Sequence, residues 1–190
     1  MQTVYILLSR SNTVCARFIR LMTACRYNHS SIALAADLAC FYSFGRRKLH
    51  NPLIGGFVRE TLDAGVFSLN LDQPCVVYAL EVSDEAYARM EAQVEECLTN
   101  YPSYRYNFLG IPFTYFGIPL ARKKHYQCGQ FVARMLELSG ACTLPRPVSL
   151  MQPMDFVKIP ELVPVYTGTL GGLAEFAPAE ATPAAVPHAG

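Results

Sequence analysis

The sequence lacks a long apolar run, a strong net charge and a paired-cysteine motif, and each absence excludes a class of protein. No uninterrupted apolar stretch approaches the ~20 residues that a membrane-spanning helix needs. The formal net charge is +1, so no basic field favours nucleic acid. We therefore expect no transmembrane segment and no nucleic-acid partner.

The cysteines and the first residues indicate a compartment. Seven cysteines are an odd number, and no two of them form a CxxC pair. The opening segment MQTVYILLSRSNT has a short apolar run with no basic residues before it, which predicts a strand rather than a secretory signal. Free thiols in a reducing, cytoplasmic setting are then the simplest expectation.

Length and composition predict one domain. The chain has 190 residues, of which 52% are hydrophobic and 16% charged, enough to bury a full core. Residues 1–172 carry the periodic patterns and form the predicted domain. After Gly172 the chain is rich in Ala and Pro without periodicity, so residues 173–190 are predicted to be a disordered tail.

Hydrophobic periodicity predicts an α+β fold in which an antiparallel sheet packs against helices. The aromatic segment 101–120, broken by Pro and Gly, predicts a cover over a core or cleft, and residues 48–60, with an Asn-Pro and a Gly-Gly, predict a shaped loop. The predicted strands are 3–10, 28–34, 40–46, 75–82 and an edge strand at 162–170; the predicted helices carry their apolar positions from Val14 to Cys25, from Tyr87 to Cys97 and from Cys128 to Ser139.

The segment HYQCGQFVARML, residues 125–136, places Cys128 at the start of an amphipathic helix that Gly140 ends. Unpaired backbone N–H groups and the helix dipole favour a thiolate there. The backbone N–H groups of Cys128 and Gly129 could hold an oxyanion, and Gly129 lets a substrate approach closely. On position alone a buried structural cysteine is the favoured interpretation until a base is found.

His29 is the strongest candidate for that base, because it begins a strand and so has a fixed direction. Side chains alternate along a strand, so His29, Ser31 and Ala33 share one small, polar face. A lone histidine there is more often structural. The four histidines of the chain are His29, His50 in the predicted loop, His125 just before the helix, and His188 in the tail.

Ser43 is the candidate for a third site residue. If the loop between the second and third strands is residues 35–37, His29 faces Ser43 across the hairpin. A loop longer by one residue on each side pairs His29 with Gly45 and leaves Ser43 on the same face. Ser43 could thus orient the imidazole as a triad member, or be a polar residue of a half-exposed strand.

These segments resemble a known superfamily. YNHSSIAL is similar to the histidine strand, and YQCGQFVARML to the cysteine helix, of permuted papain-like proteins, in which His precedes Cys along the chain. The YiiX/YaeF-like amidases and the lecithin-retinol-acyltransferase-like proteins belong to it. Segments such as YILLSRSNT, FYSFGRR, NPLIGGFVRE and MDFVKIPELVPVYTG resemble a bacterial branch of it, over roughly residues 3 to 170.

The resemblance implies a circularly permuted papain-like fold and a cysteine hydrolase or acyltransferase that works through a thioester. Cys128 would be the nucleophile, His29 the general base and Ser43 the third member. No cofactor or metal is implied, and the substrate would be a small-molecule, peptide or lipid-like acyl compound. The candidate cleft-lining residues are Tyr27, Ser31, Tyr106 and Gln127.

Two alternatives remain open. Relatives usually carry a stronger acceptor than Ser43 and a serine in place of Gly129, which favours a catalytically silent binding or scaffold domain. A metal site formed by His29, His125 and Cys128 is the least favoured, because the sequence has no paired CxxC or HxxxH.

Overall fold

The computed structural model describes residues 1–10, 26–48 and 51–176. The predicted helix from Val14 to Cys25, both His50 and His188, and residues 177–190 of the predicted tail lie outside the described residues.

The described chain is built on an eight-stranded sheet in the order β7-β6-β4-β3-β2-β1-β5-β8. Neighbouring strands run antiparallel, except that β6 and β7 are parallel. The predicted α+β class is thus confirmed. The strands are β1 (Gln2–Ser9), β2 (His29–Ala33), β3 (Phe41–Lys48), β4 (Asn51–Glu60), β5 (Pro74–Val82), β6 (Arg105–Tyr106), β7 (His125–Tyr126) and β8 (Val163–Thr169).

Four α-helices accompany the sheet: α1 (Asp84–Thr99), α2 (Gly110–Tyr115), α3 (Cys128–Ser139) and α4 (Leu170–Leu173). The predicted caps are in place at the two long helices. The Ser83 hydroxyl accepts the Ala86 N–H at 3.2 Å before α1, and Gly140 ends α3 with φ of 63°, a left-handed conformation that suits glycine.

Both faces of the sheet are covered, which explains the continuous apolar run of β1. Alternate residues of β1 enter different hydrophobic clusters, since Ile6 and Leu8 pack with α1 and α3 while Tyr5 and Leu7 pack with α4 on the opposite face. The core therefore lies on both sides of the central strands, and the site is built where α3 begins.

The prediction of a shaped loop over residues 48–60 is wrong, because residues 51–60 form the central strand β4. Its two glycines mark close approaches rather than a turn. A Cβ on Gly55 would lie 2.7 Å from the Cβ of Tyr106, and one on Gly56 would lie 2.3 Å from the Tyr104 carbonyl oxygen. Because Gly55 and Gly56 have no side chains, residues 104–106, which include β6, can lie close against β4.

The predicted boundary at Gly172 falls inside α4, which extends to Leu173, and the Phe176 ring packs on Tyr166 with centroids 5.1 Å apart. Over residues 1–10, 26–48 and 51–176, no helix combines the length and the apolar character needed to cross a bilayer.

Replacing Gly56 by Ala should destabilise the protein by about 1–3 kcal/mol, because the added methyl meets a backbone carbonyl that cannot yield cheaply. Urea denaturation followed by circular dichroism measures the loss. The matched control is Gly171→Ala, whose Cβ would have its nearest neighbour at 3.4 Å; equal stability of the two variants would contradict the expectation.

Candidate active site

Cys128 is the first residue of α3 and is only 6% exposed. The Phe131 N–H makes an early helical hydrogen bond, to the Gln127 carbonyl at 3.0 Å, so the N–H groups of Cys128 and Gly129 precede the helical ladder. The start of the helix is held by the buried Gln130, whose Oε1 accepts the Gln127 N–H at 3.0 Å. The thiol therefore lies at the N-terminal end of α3, next to backbone N–H groups that are not used within the helix.

His29 lies beside this thiol, as the predicted pair requires. The imidazole is close enough to Cys128 for each group to shift the pKa of the other. The other side of the ring faces a carboxylate, since Nε2 lies 2.9 and 3.0 Å from the two oxygens of Glu60. With Nε2 held by Glu60, Nδ1 is the ring nitrogen left for the thiol.

Glu60, at the end of β4, takes the place that the sequence assigned to Ser43. Its carboxylate is 8% exposed and also accepts the Ser31 hydroxyl at 2.6 Å. The Ser43 hydroxyl instead donates to the backbone carbonyl of Ser30 at 2.7 Å. Ser43 shares the predicted face but orients β2 against β3, and the acceptor for His29 is a glutamate.

The strand register explains how Glu60 reaches the histidine. Ile32 pairs with Tyr42, the register of the longer loop, so His29 lies opposite Gly45. A Cβ on Gly45 would be 3.7 Å from a Glu60 oxygen and 3.9 Å from the His29 ring. A glycine at this place in β3 leaves room for the carboxylate and the imidazole to meet above it.

Strands β2 and β3 part next to the site. Along these two fully described strands, Ile32 and Tyr42 are the only ladder pair. The Ser30 carbonyl accepts the Ser43 hydroxyl at 2.7 Å, and the Ser30 backbone lies near enough to Cys128 to lower the pKa of its thiol. This opening in the ladder lets the helix start approach the strand that carries His29.

Glu60 and Cys128 shift the pKa of His29, and His29 shifts the pKa of Cys128. Burial by itself would lower the pKa of His29, but the Glu60 carboxylate and the hydrogen bonds to Cys128 and Glu60 raise that pKa well above its ordinary 6.5. Burial would likewise raise the pKa of Cys128, yet His29 and the backbone N–H groups of Ser30 and Gly129 lower it. The arrangement favours an imidazolium beside a thiolate.

Other cysteines of the described chain show how unusual this is. Burial raises the pKa of Cys75 and of Cys97 to about 12, and that of Cys142 to about 11. These thiols have no cationic neighbour strong enough to offset burial. Burial thus raises the pKa of these thiols, whereas at Cys128 the neighbouring groups outweigh burial and favour the reactive thiolate.

A cavity of about 330 Å³ opens beside Cys128. Its walls come from the start of α3, from the short helix α2 within the predicted covering segment, and from residues 151–153. Tyr106 and Gln127 line it as predicted. Cys128 itself lines the cavity, together with its neighbours Gln127 and Gly129.

Tyr27 and Ser31 do not line this cavity. Tyr27 is a core residue, 5% exposed, and Ser31 is fully buried against Glu60. Tyr104 is also core, whereas Phe108 stacks on Tyr106 with centroids 4.7 Å apart. Alternation along β2 correctly placed Ser31 on the same face as His29, but the Glu60 carboxylate occupies the space on that face.

Gly129 has a packing role beside its place in the cleft. A Cβ there would lie 2.5 Å from the Met151 carbonyl oxygen. The residue after the cysteine must therefore be glycine for the 151–153 segment to pack on the helix start. This explains the departure from the serine that the resembled proteins carry.

His125 does not join His29 and Cys128. Its Nδ1 lies 2.8 Å from the Lys123 carbonyl oxygen, to which it donates, and its strand β7 pairs with β6. Among the residues that the structure describes, no three His, Cys, Asp or Glu side chains converge in a way that could hold a metal ion.

No protein-family model, curated protein or solved structure matches this chain.

The pH dependence of Cys128 alkylation should report the ion pair. With iodoacetamide, the rate should rise with a midpoint below the ordinary thiol pKa of 9.0. In His29→Gln the cation is lost while burial remains, so the midpoint should move above that value. Peptide mass spectrometry at each pH measures the adduct on Cys128.

The control for this experiment is His125→Gln, which removes a histidine that bonds only to the loop carbonyl of Lys123. Its midpoint should stay at the wild-type value. An unchanged midpoint in His29→Gln would show that the imidazole does not set the thiol's protonation.

Proposed function

We propose that the protein is a cysteine-dependent hydrolase or acyltransferase acting on an amide or ester, with Cys128, His29 and Glu60 as its catalytic triad. The observation that carries the proposal is the continuous chain of contacts from Glu60 through His29 to Cys128. Glu60 lies within hydrogen-bonding distance of His29, and His29 and Cys128 each shift the pKa of the other, which fits the arrangement that nucleophilic catalysis needs.

In the first step the Cys128 thiolate attacks the substrate carbonyl carbon and a carbon–sulfur bond forms. The carbonyl oxygen becomes an oxyanion, which the N–H groups of Cys128 and Gly129 are placed to hold. The His29 imidazolium then gives its Nδ1 proton to the leaving amine or alkoxide as the carbon–nitrogen or carbon–oxygen bond breaks. A thioester on Cys128 and a neutral imidazole remain.

In the second step the neutral His29 takes a proton from water or from an acceptor alcohol or amine. The activated oxygen or nitrogen attacks the thioester carbon, the carbon–sulfur bond breaks, and the thiolate and imidazolium are restored. Glu60 keeps the ring oriented and stabilises its positive charge in both steps, without itself needing to take up the proton.

The topology supports a permuted papain-like arrangement as part of this proposal. The histidine strand β2 precedes the cysteine helix α3 along the chain, and the two lie together against one antiparallel sheet. Glu60 is also the stronger acceptor whose apparent absence favoured a silent domain. With a carboxylate beside His29, the main sequence argument for that alternative is removed.

Covalent labelling tests the proposal. A small chloromethyl ketone should modify Cys128, and Cys128→Ala should abolish that adduct and all ester hydrolysis. Intact-mass and peptide mass spectrometry measure the adduct. Cys142→Ala is the matched control, since Cys142 has a pKa raised to about 11 by burial, and it should label as the wild type does; an adduct that persists in Cys128→Ala would exclude Cys128 as the nucleophile.

Paired substitutions of Glu60 and Ser43 should separate the triad member from its neighbour. Glu60→Gln removes the charge that sustains the imidazolium, so kcat/KM should fall on the order of 10²-fold while the fold persists. Ser43→Ala leaves the buried Ser30 carbonyl without its donor, which should cost about 1–3 kcal/mol of stability with kcat/KM changed only a few-fold. Ester hydrolysis and urea denaturation measure the two quantities; the reverse pattern would assign the third position to Ser43.

A further inference from the structure

The cleft beside Cys128 has an unusual lining for a site with a charged triad behind it. Of the described residues, no Asp, Glu, Lys, Arg or His contributes to its wall. The polar side chains there are neutral, and two of them satisfy each other, since Gln127 Nε2 donates to Thr114 Oγ1 at 3.1 Å. The apolar wall comes mainly from Ile111, Pro112, Phe116 and Met151.

The apolar wall continues outward from the cysteine to the surface. Tyr115 and Phe116 line the cleft and yet are 54% and 72% exposed. Leu109 and Ile118, at either side of α2, are 57% and 51% exposed. An apolar rim of this size at the mouth of a cleft marks a place where an apolar ligand binds.

From these features we infer that the acyl group accepted at Cys128 is an uncharged aliphatic chain, whose carbonyl lies at the thiol and whose methylenes lie along α2. The inference rests on the proposed function and names its substrate class. A cleft of about 330 Å³ is at the small end of ligand sites, which suits a chain rather than a folded peptide.

A charged acyl group is disfavoured by the same walls. Moving a carboxylate or an ammonium group from water to an apolar lining without a partner is strongly unfavourable. The charged side chains of the triad cannot serve as that partner, because Glu60 is bonded to His29 and Ser31. The cleft therefore selects against acyl chains that end in a charge.

Kinetics on a series of p-nitrophenyl esters test the inference, from acetate to decanoate with a constant leaving group. Each methylene buried should raise kcat/KM about fourfold until the cleft is filled. Esters of the same length that end in a carboxylate should lose most of that gain. A flat series, or equal rates for neutral and carboxylate-ended chains, would overturn the inference.

A substitution in the apolar rim at the mouth of the cleft tests whether the acyl chain binds there. Phe116→Glu changes a side chain that is 72% exposed, so the fold is retained, and it should lower kcat/KM for the long esters by a much larger factor than for acetate. Leu53→Glu is the matched control, because Leu53 is 77% exposed on β4 and lies outside the cleft lining. An equal effect of both variants would place the chain elsewhere.

The failures of the two proposals can be told apart. If iodoacetamide alkylates Cys128 with the low midpoint and acetate forms an acyl-enzyme, but chain length has no effect, the aliphatic inference fails and the triad stands. If no ester of the series forms an adduct on Cys128 detectable by rapid quench and mass spectrometry, both proposals fail.

Discussion

The contact between Glu60 and His29 is the interaction on which the rest of the site depends. A buried carboxylate is costly unless it is fully bonded, and here it accepts from Ser31 and faces His29. Its charge keeps the imidazole protonated despite burial, and the imidazolium in turn lowers the pKa of Cys128. Without the carboxylate, the strongest influence that opposes burial at His29 would be lost, and with it much of the positive charge that lowers the pKa of Cys128.

The sheet makes this contact possible through the position of β4 and through two local departures from a regular sheet. β4 is a true strand, so that Glu60 projects toward β2 across β3. Gly45 leaves the space in which the carboxylate and the imidazole meet. The ladder between β2 and β3 opens at Ser30, whose backbone lies near enough to Cys128 to lower the pKa of its thiol. Each departure would be a defect in an ordinary sheet, and together they admit a helix start to the histidine.

Periodicity was sufficient to predict β1, β5, β8 and the two long helices, because each rests on local pattern, whereas pairing His29 with Cys128 also needed the resemblance to permuted papain-like proteins. It failed for residues 51–60, where the Asn-Pro and Gly-Gly indicate a turn and where only the crossing of Tyr104 and Tyr106 explains the glycines. That error hid Glu60. Strand alternation correctly placed Ser43 on the same face of the sheet as His29. Lying on one face does not make two residues hydrogen-bond partners, however, and the Ser43 hydroxyl donates to the backbone carbonyl of Ser30 instead.

Stability alone does not account for the buried charges at the site. A buried ion pair gains little over apolar residues of the same volume, because desolvation offsets the attraction. Apolar residues could pack at this place in the core. Phe67 illustrates this, since its ring lies edge-on to that of His29 with centroids 6.1 Å apart. Of the three groups, Cys128 also lines a cleft that has no Asp, Glu, Lys, Arg or His side chain among the described residues of its wall. Perturbed protonation beside a concave, apolar surface is typical of a site that performs chemistry, which is why we favour an acyl-transfer enzyme over a silent domain.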